Sequence, residues 1–259
     1  MDLELFSLEQ WYVFLILLAR MAAMIGSLPI FTSSRAALRL RLGLAVTISL
    51  LLFPVLDIPP LEEQLVTPYG FGLIIVQEVL LGLILGFVTQ LIFFAVQFGG
   101  TIVGYQMGFA AANILDPQHQ QQVPLLSQFQ NVFAILLFLV LDVHHDILRV
   151  MVHSYRVLPP GDLVFSGGAV PFVMELTGEM FVLSLQLIAP VLVVLMLSMF
   201  ILGIMSRVFS QLQVFLLSFP VNISLALIII GLSLEMVLNL LEQEFQGLQE
   251  RLIRILHLL

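Results

Sequence analysis

The 259-residue chain has no cysteine and no lysine. The first absence excludes disulfides and thiolate metal sites. The second leaves nine arginines as the whole basic complement, against 17 acidic residues and a formal net charge of −8. Nucleic-acid binding needs basic patches that such a chain lacks, so no nucleic-acid partner is expected. Charge of either sign is scarce: Asp, Glu, Lys and Arg make up 10% of residues, where soluble domains run near 25%. No Gly-x-Ser-x-Gly, phosphate-loop or dinucleotide-binding glycine pattern is present, and neither Ser154 nor Ser218 stands in a recognisable nucleophile–base arrangement. Neither enzymatic activity nor a cofactor is expected. The N-terminus carries Asp2, Glu4 and Glu9 but no basic residue, so it lacks the positive start of a cleaved signal peptide. The first apolar segment is expected to stay in the mature protein.

What the chain does have is apolar side chains. They are 60% of its residues, and its mean hydropathy is +1.12. That much apolar surface cannot be hidden in a water-soluble core of this size, so the chain reads as an all-α integral membrane protein. No Ser/Gly-rich or charge-rich linker divides it, which favours one domain over residues 1–259. Apolar runs stand near 12–31, 42–56, 71–98, 129–141, 180–205 and 214–232. A bilayer core needs roughly 20 apolar residues in a helix. The runs at 71–98 and 180–205 exceed that, whereas 42–56 and 129–141 need flanking residues. A stretch at 99–115 makes a seventh possible crossing. The runs are continuous rather than alternating, which disfavours a β-barrel.

Arginine placement puts the loop with Arg35, Arg39 and Arg41 in the cytoplasm, with Arg149 and Arg156 in a second cytoplasmic region and Arg251 and Arg254 at a cytoplasmic C-terminus. The acidic N-terminus and the Asp57–Tyr69 loop then lie outside. This demands an odd number of crossings where the clear runs supply an even one, and Arg207 fits a seven-crossing arrangement poorly. The conflict indicates that some helices do not follow simple bilayer topology.

Gly100, Gly104, Gly108 and Ala112 recur every fourth residue, which on a helix gives one smooth stripe for close packing. Asp116-Pro117 should end that helix. His119 and Gln120-Gln121-Gln122 follow, polar but uncharged. Irregular backbone at membrane depth survives only when buried in protein or lining a wet cavity, so 113–124 reads as a loop in a lumen or at its mouth. Arg20, Gln77, Glu78, Gln90, Gln97, Gln186 and Asn222 lie in or beside apolar runs. They serve either a relay or interhelical hydrogen bonding; glutamines dominate the set, which favours the second. Glu78 is the best functional candidate, with Arg20 as its possible partner. His144-His145-Asp146 and His153 lack the spacing of a His-Glu-x-x-His zinc site. Adjacent histidines on a helix should point to different sides, so no metal is expected. Glu175 and Glu179 share a helix face that reads as solvated. At 234–259, Leu234, Leu238, Leu241, Phe245, Leu248, Leu252, Ile255 and Leu259 alternate spacings of four and three, the mark of an amphipathic helix. Its acidic polar face favours docking against a helix or subunit over lying on a membrane surface.

The stretch Gly104-Tyr105-Gln106-Met107-Gly108-Phe109, continuing through Asn113-Ile114-Leu115-Asp116-Pro117, resembles the central signature of the FliR family. That family is the R subunit of the type III secretion export gate, called the T subunit in injectisomes. Weaker similarity extends over nearly the whole chain. It includes Arg20-Met21 with Pro29-Ile30-Phe31, Phe138 to His145, Ser154-Tyr155-Arg156 with Pro159, Pro190, Gly203 to Arg207, and Pro220-Val221-Asn222. The resemblance implies stacked helical hairpins in a helical hetero-oligomer with P and Q subunits, around a channel for unfolded flagellar proteins. It also implies a B switch subunit at the cytoplasmic side and a place in the inner membrane at the flagellar basal body. The same resemblance implies a pore plug at about Met107 to Pro124, with Met107, Gly108, Phe109, Asn113, Asp116, Pro117, Gln120, Gln121 and Gln122 as its residues. The Gly100–Ala112 stripe then serves subunit packing. Two other readings stay open: a small secondary transporter with Glu78 and Arg20 at its core, although no internal repeat is evident, and a membrane scaffold docking through its C-terminal helix.

Overall fold

A computed structural model of the chain describes residues 8–29, 38–56, 67–108, 125–163, 167–208 and 214–259. Among them are eight helices and no strand: α1 (Leu8–Ser27), α2 (Leu38–Leu52), α3 (Pro68–Gln106), α4 (Leu125–Val140), α5 (Val143–Val157), α6 (Ala169–Val208), α7 (Val214–Leu232) and α8 (Leu234–Leu258).

The lengths depart from a set of ordinary spans. By length and composition α1, α3 and α6 could each cross a membrane, and α7 with α8 could make a fourth crossing bent by 58° at Ser233. At 1.5 Å per residue, α2 and α4, with 15 and 16 residues, fall short of the ~30 Å hydrocarbon core. In contrast, α3 and α6, with 39 and 40 residues, reach about 58 and 60 Å, roughly twice that thickness. Instead of forming a separate segment, residues 99–106 continue α3. Gly99 and Gly100 do not interrupt it, and each packs tightly: a Cβ would lie 2.8 Å from Ile188 Cγ2 at the first and 2.5 Å from Gln130 Oε1 at the second. α6 likewise runs through Pro190. Such a proline removes a backbone hydrogen bond, but membrane helices tolerate it where neighbouring groups take up the freed carbonyl.

Contacts group the chain into two compact units. The first comprises residues 1–91, 142–176 and 246–259. Here α2 packs on α1, and the rings of Tyr12 and Phe71 meet edge-on at 4.8 Å. The end of α8 buries Leu248, Leu252, Ile255 and Leu259, and Arg254 lies 4.7 Å over the Phe172 ring. The second unit comprises 92–141 and 177–245. Its core is a triangle of Phe93, Phe138 and Phe245, with centroids 5.6, 5.6 and 5.7 Å apart. The C-terminal helix therefore buries much of its apolar face inside its own chain.

The long helices also expose large apolar side chains. On α3, Leu73, Val76, Leu83 and Phe87 are exposed, and on α6 Val193, Leu197, Phe200 and Ile204 are. Faces this apolar require lipid or protein neighbours.

Candidate functional site

Arg20 on α1 heads the largest fully buried side chains among the described residues. Its guanidinium makes four directed bonds. Nε donates to Glu78 Oε2 at 2.5 Å and Nη2 to Glu78 Oε1 at 2.9 Å, a two-pronged pairing with a carboxylate on α3. Nη1 donates to Ser154 Oγ at 2.9 Å, and Nη2 also donates to the Leu158 carbonyl at 3.0 Å. That carbonyl lies just past the end of α5, where Pro159 follows and Leu158 leaves helical geometry at φ −127°, ψ 88°. A helix end leaves carbonyls without intrahelical donors and carries partial negative charge, so a cation there satisfies both. The Tyr155 ring lies 4.0 Å below the guanidinium, and its hydroxyl donates to the Leu17 carbonyl at 3.2 Å. Burial pushes the Tyr155 phenol above its ordinary range, so it stays a neutral donor. One arginine thus ties α1, α3 and α5 together.

The groove that admits this pairing is cut by glycine. On α3, Glu78, Gly82, Gly86 and Gln90 stand four residues apart along one side. A Cβ at Gly82 would collide with the Arg20 carbonyl and lie 2.8 Å from Ala23 Cβ. One at Gly86 would overlap Ser27, with its Cβ at 2.7 Å. Gln90 Nε2 donates to the Ser27 carbonyl. The backbones of α1 and α3 approach closely because these two positions have no side chain. The Gly82-x-x-x-Gly86 spacing, four residues beyond Glu78, is the sequence signal for this contact, less conspicuous than the stripe further along.

That later stripe divides. Gly100 meets α4: a Cβ there would be 2.5 Å from Gln130 Oε1 and 2.6 Å from Ser127 Cα. Gly104 is buried on α3. Gly108 is not helical. The helix ends at Gln106, and Gly108 takes φ +91° with its amide bonded to the Tyr105 carbonyl at 3.0 Å. Glycine terminates helices in this left-handed region because it has no Cβ to clash. The helix therefore stops well before Asp116-Pro117, and a Cβ on Gly108 would strike the Phe219 ring. Gly100 and Gly108 find their tight neighbours within the chain itself. Met107 is buried beside this turn. Ala112 of the stripe and Phe109, Asn113, Asp116, Pro117, Gln120, Gln121 and Gln122 of the expected plug lie outside the described residues.

Of the remaining polar candidates, Asn222 is buried and its Oδ1 accepts from Ser198 Oγ at 2.7 Å, joining α7 to α6. Gln97 and Gln186 are exposed, as are Glu175 and Glu179. The two histidines depart from expectation. The His144 and His145 rings lie 4.1 Å apart, tilted by 36°, and both approach Asp142. They occupy the first turn of α5, where no preceding turn restricts side-chain rotamers.

These features define a polytopic helical membrane protein in which Arg20, Glu78 and Asn222 are tied into interhelical contacts. Its sequence from 11 to 248 matches the family of bacterial export proteins, family 1, and the chain belongs to that family. It is 30% identical over 237 residues to the flagellar biosynthetic protein FliR of Pectobacterium carotovorum, covering 92% of this chain and 90% of the relative. It is 29% identical over 241 residues to the FliR of Escherichia coli, at 92% and 91% coverage. It is also similar to the Yop proteins translocation protein T of Yersinia pestis, 28% identical over 214 residues at 82% and 81% coverage.

Proposed function

We propose that this chain is a non-enzymatic subunit of a type III protein export gate, helping to form and plug the channel through which unfolded flagellar proteins leave the cell. The observation that carries this reading is family membership over nearly the full length, with a flagellar biosynthetic protein and a Yop proteins translocation protein both among the relatives. The physical features agree with it. α3 and α6 are about twice as long as a bilayer core is thick, which suits an assembly rising out of the membrane plane and accounts for the parity conflict in the arginines. Their apolar outer faces suit neighbouring P and Q subunits as well as lipid, in the inner membrane at the flagellar basal body. A B switch subunit fits the cytoplasmic side.

The plug is assigned to Met107–Pro124. Its entry is a glycine turn braced by Phe219, so the chain leaves α3 abruptly. The uncharged glutamines can sit in a wet pore without binding passing substrate by charge.

The Arg20–Glu78 pair favours this reading over a proton-coupled transporter. A relay needs a water path and a carboxylate that changes partners, whereas this carboxylate is inaccessible and both its oxygens are held by one arginine.

Co-expression with the P and Q subunits tests the proposal. The chain is expected to co-purify with both in mild detergent and to behave poorly alone. A stable monomer that never associates with them would overturn it.

A further inference from the structure

The turn between α4 and α5 brings together three metal-ligating side chains that the export function leaves unused. We propose that Asp142, His144 and His145 bind a divalent zinc-class cation.

Three observations carry this. First, one oxygen, Asp142 Oδ1, lies 3.2 Å from His145 Nδ1 and 3.9 Å from His144 Nε2, and one ligand atom from each residue falls within 4.8 Å of the others. Zinc bonds of about 2.0–2.1 Å in tetrahedral geometry set ligand atoms roughly 3.3 Å apart. The cluster is already near that spacing, and the Asp142 and His145 side chains, 70% and 57% exposed, can close the remainder by rotation.

Second, Asp142 stands where an aspartate ordinarily caps a helix through its carboxylate, yet its side chain makes no capping bond. It has the left-handed backbone φ 56°, ψ 21°, the one positive φ outside glycine among the described residues. In that conformation the carboxylate faces the two imidazoles instead.

Third, Asp146, the next carboxylate along the chain, is engaged elsewhere. Asp146 is turned to Arg149, with Oδ1 at 2.8 Å from Nη1. Two imidazole nitrogens with one carboxylate oxygen select Zn2+ and its neighbours over Ca2+ or Mg2+, which prefer all-oxygen sites. Three protein ligands leave a fourth position for water or a partner's side chain. Bound metal would lock the left-handed turn and hold both histidines on the first turn of α5.

The test uses the full-length chain without a polyhistidine tag, purified in detergent, washed with chelator and titrated with Zn2+ in competition with a chromophoric chelator. One equivalent per chain is expected, with Asp142→Asn and His145→Ala each weakening affinity roughly tenfold or more. His153→Ala, on the same helix but outside the cluster, should leave affinity unchanged. Absence of saturable uptake would overturn the proposal. So would an affinity that Asp142→Asn and His145→Ala leave intact, or one that His153→Ala lowers as much as they do. Asp142→Asn tolerates the left-handed backbone, so lost binding in that variant reads on the carboxylate rather than on the turn.

Discussion

Arg20 and Glu78, 58 residues apart, form an ion pair of 2.5 and 2.9 Å whose side chains are 0% and 1% exposed. Removing two charges from water costs several kcal/mol per ion, and the pair offsets this through four bonds from the guanidinium, two of them to the Glu78 carboxylate. Its value is therefore asymmetric. Glu78→Gln or Arg20→Met alone should destabilise the chain by about 3–5 kcal/mol, because the other charge is left buried. The Arg20→Met/Glu78→Leu double variant should recover much of that loss. Thermal melting of the detergent-solubilised protein measures both. In addition, export per assembled complex should survive Glu78→Gln, which a proton relay through Glu78 would not permit.

The α1–α3 contact makes a sharper prediction about glycine. Gly82→Ala places a methyl against backbone atoms, the Arg20 carbonyl and Met24 N at 3.1 Å, which cannot yield cheaply. A loss of about 1–3 kcal/mol is expected. Gly86→Ala meets the Ser27 side chain, so Ser27→Gly should partly rescue it. Gly178→Ala on α6, with nothing within 4 Å, should be neutral or stabilise by up to about 1 kcal/mol. Melting temperatures of the three single variants and the Gly86→Ala/Ser27→Gly pair decide the matter.

At the end of α3, Gly108→Ala carries two faults, the positive φ and the collision with Phe219. Shrinking the ring with Phe219→Ala should relieve the second and not the first, leaving a residual cost of about 1 kcal/mol or more. A double-mutant cycle on stability separates the two contributions.

The proposed plug predicts leakage. Deleting Gln118 to Gln122 should raise ion conductance through the resting gate while assembly stays normal. Planar-bilayer recording of the purified complex reads this directly, and unchanged conductance would remove the plug assignment.

How much of this was legible in the chain depends on which interactions are local. The apolar runs marked α1, α3, α6 and α7, and the three–four leucine spacing marked α8, because periodicity along one helix is a local property. Arg20, Glu78 and Asn222 stood out because a polar residue in an apolar run needs a reason. The partners Ser154, Tyr155 and the Leu158 carbonyl come from more than 130 residues away and leave no local trace. The tight packing at Gly99 and Gly100 was hidden for the same reason: the neighbours, Ser184 and Ser127, are distant in the chain. The end of α3 was placed too late because Asp116-Pro117 is a strong stop signal, whereas Gly108 resembled one more member of the stripe. The stacking of His144 on His145 depends on a left-handed Asp142 that no periodicity announces.

The most direct test of the central claim is secretion. A flagellated strain lacking its own family member, supplied with this chain and its matching P and Q subunits, should again release flagellar substrates into the medium. Correctly assembled complexes that release none would contradict the assignment of this chain to an export gate.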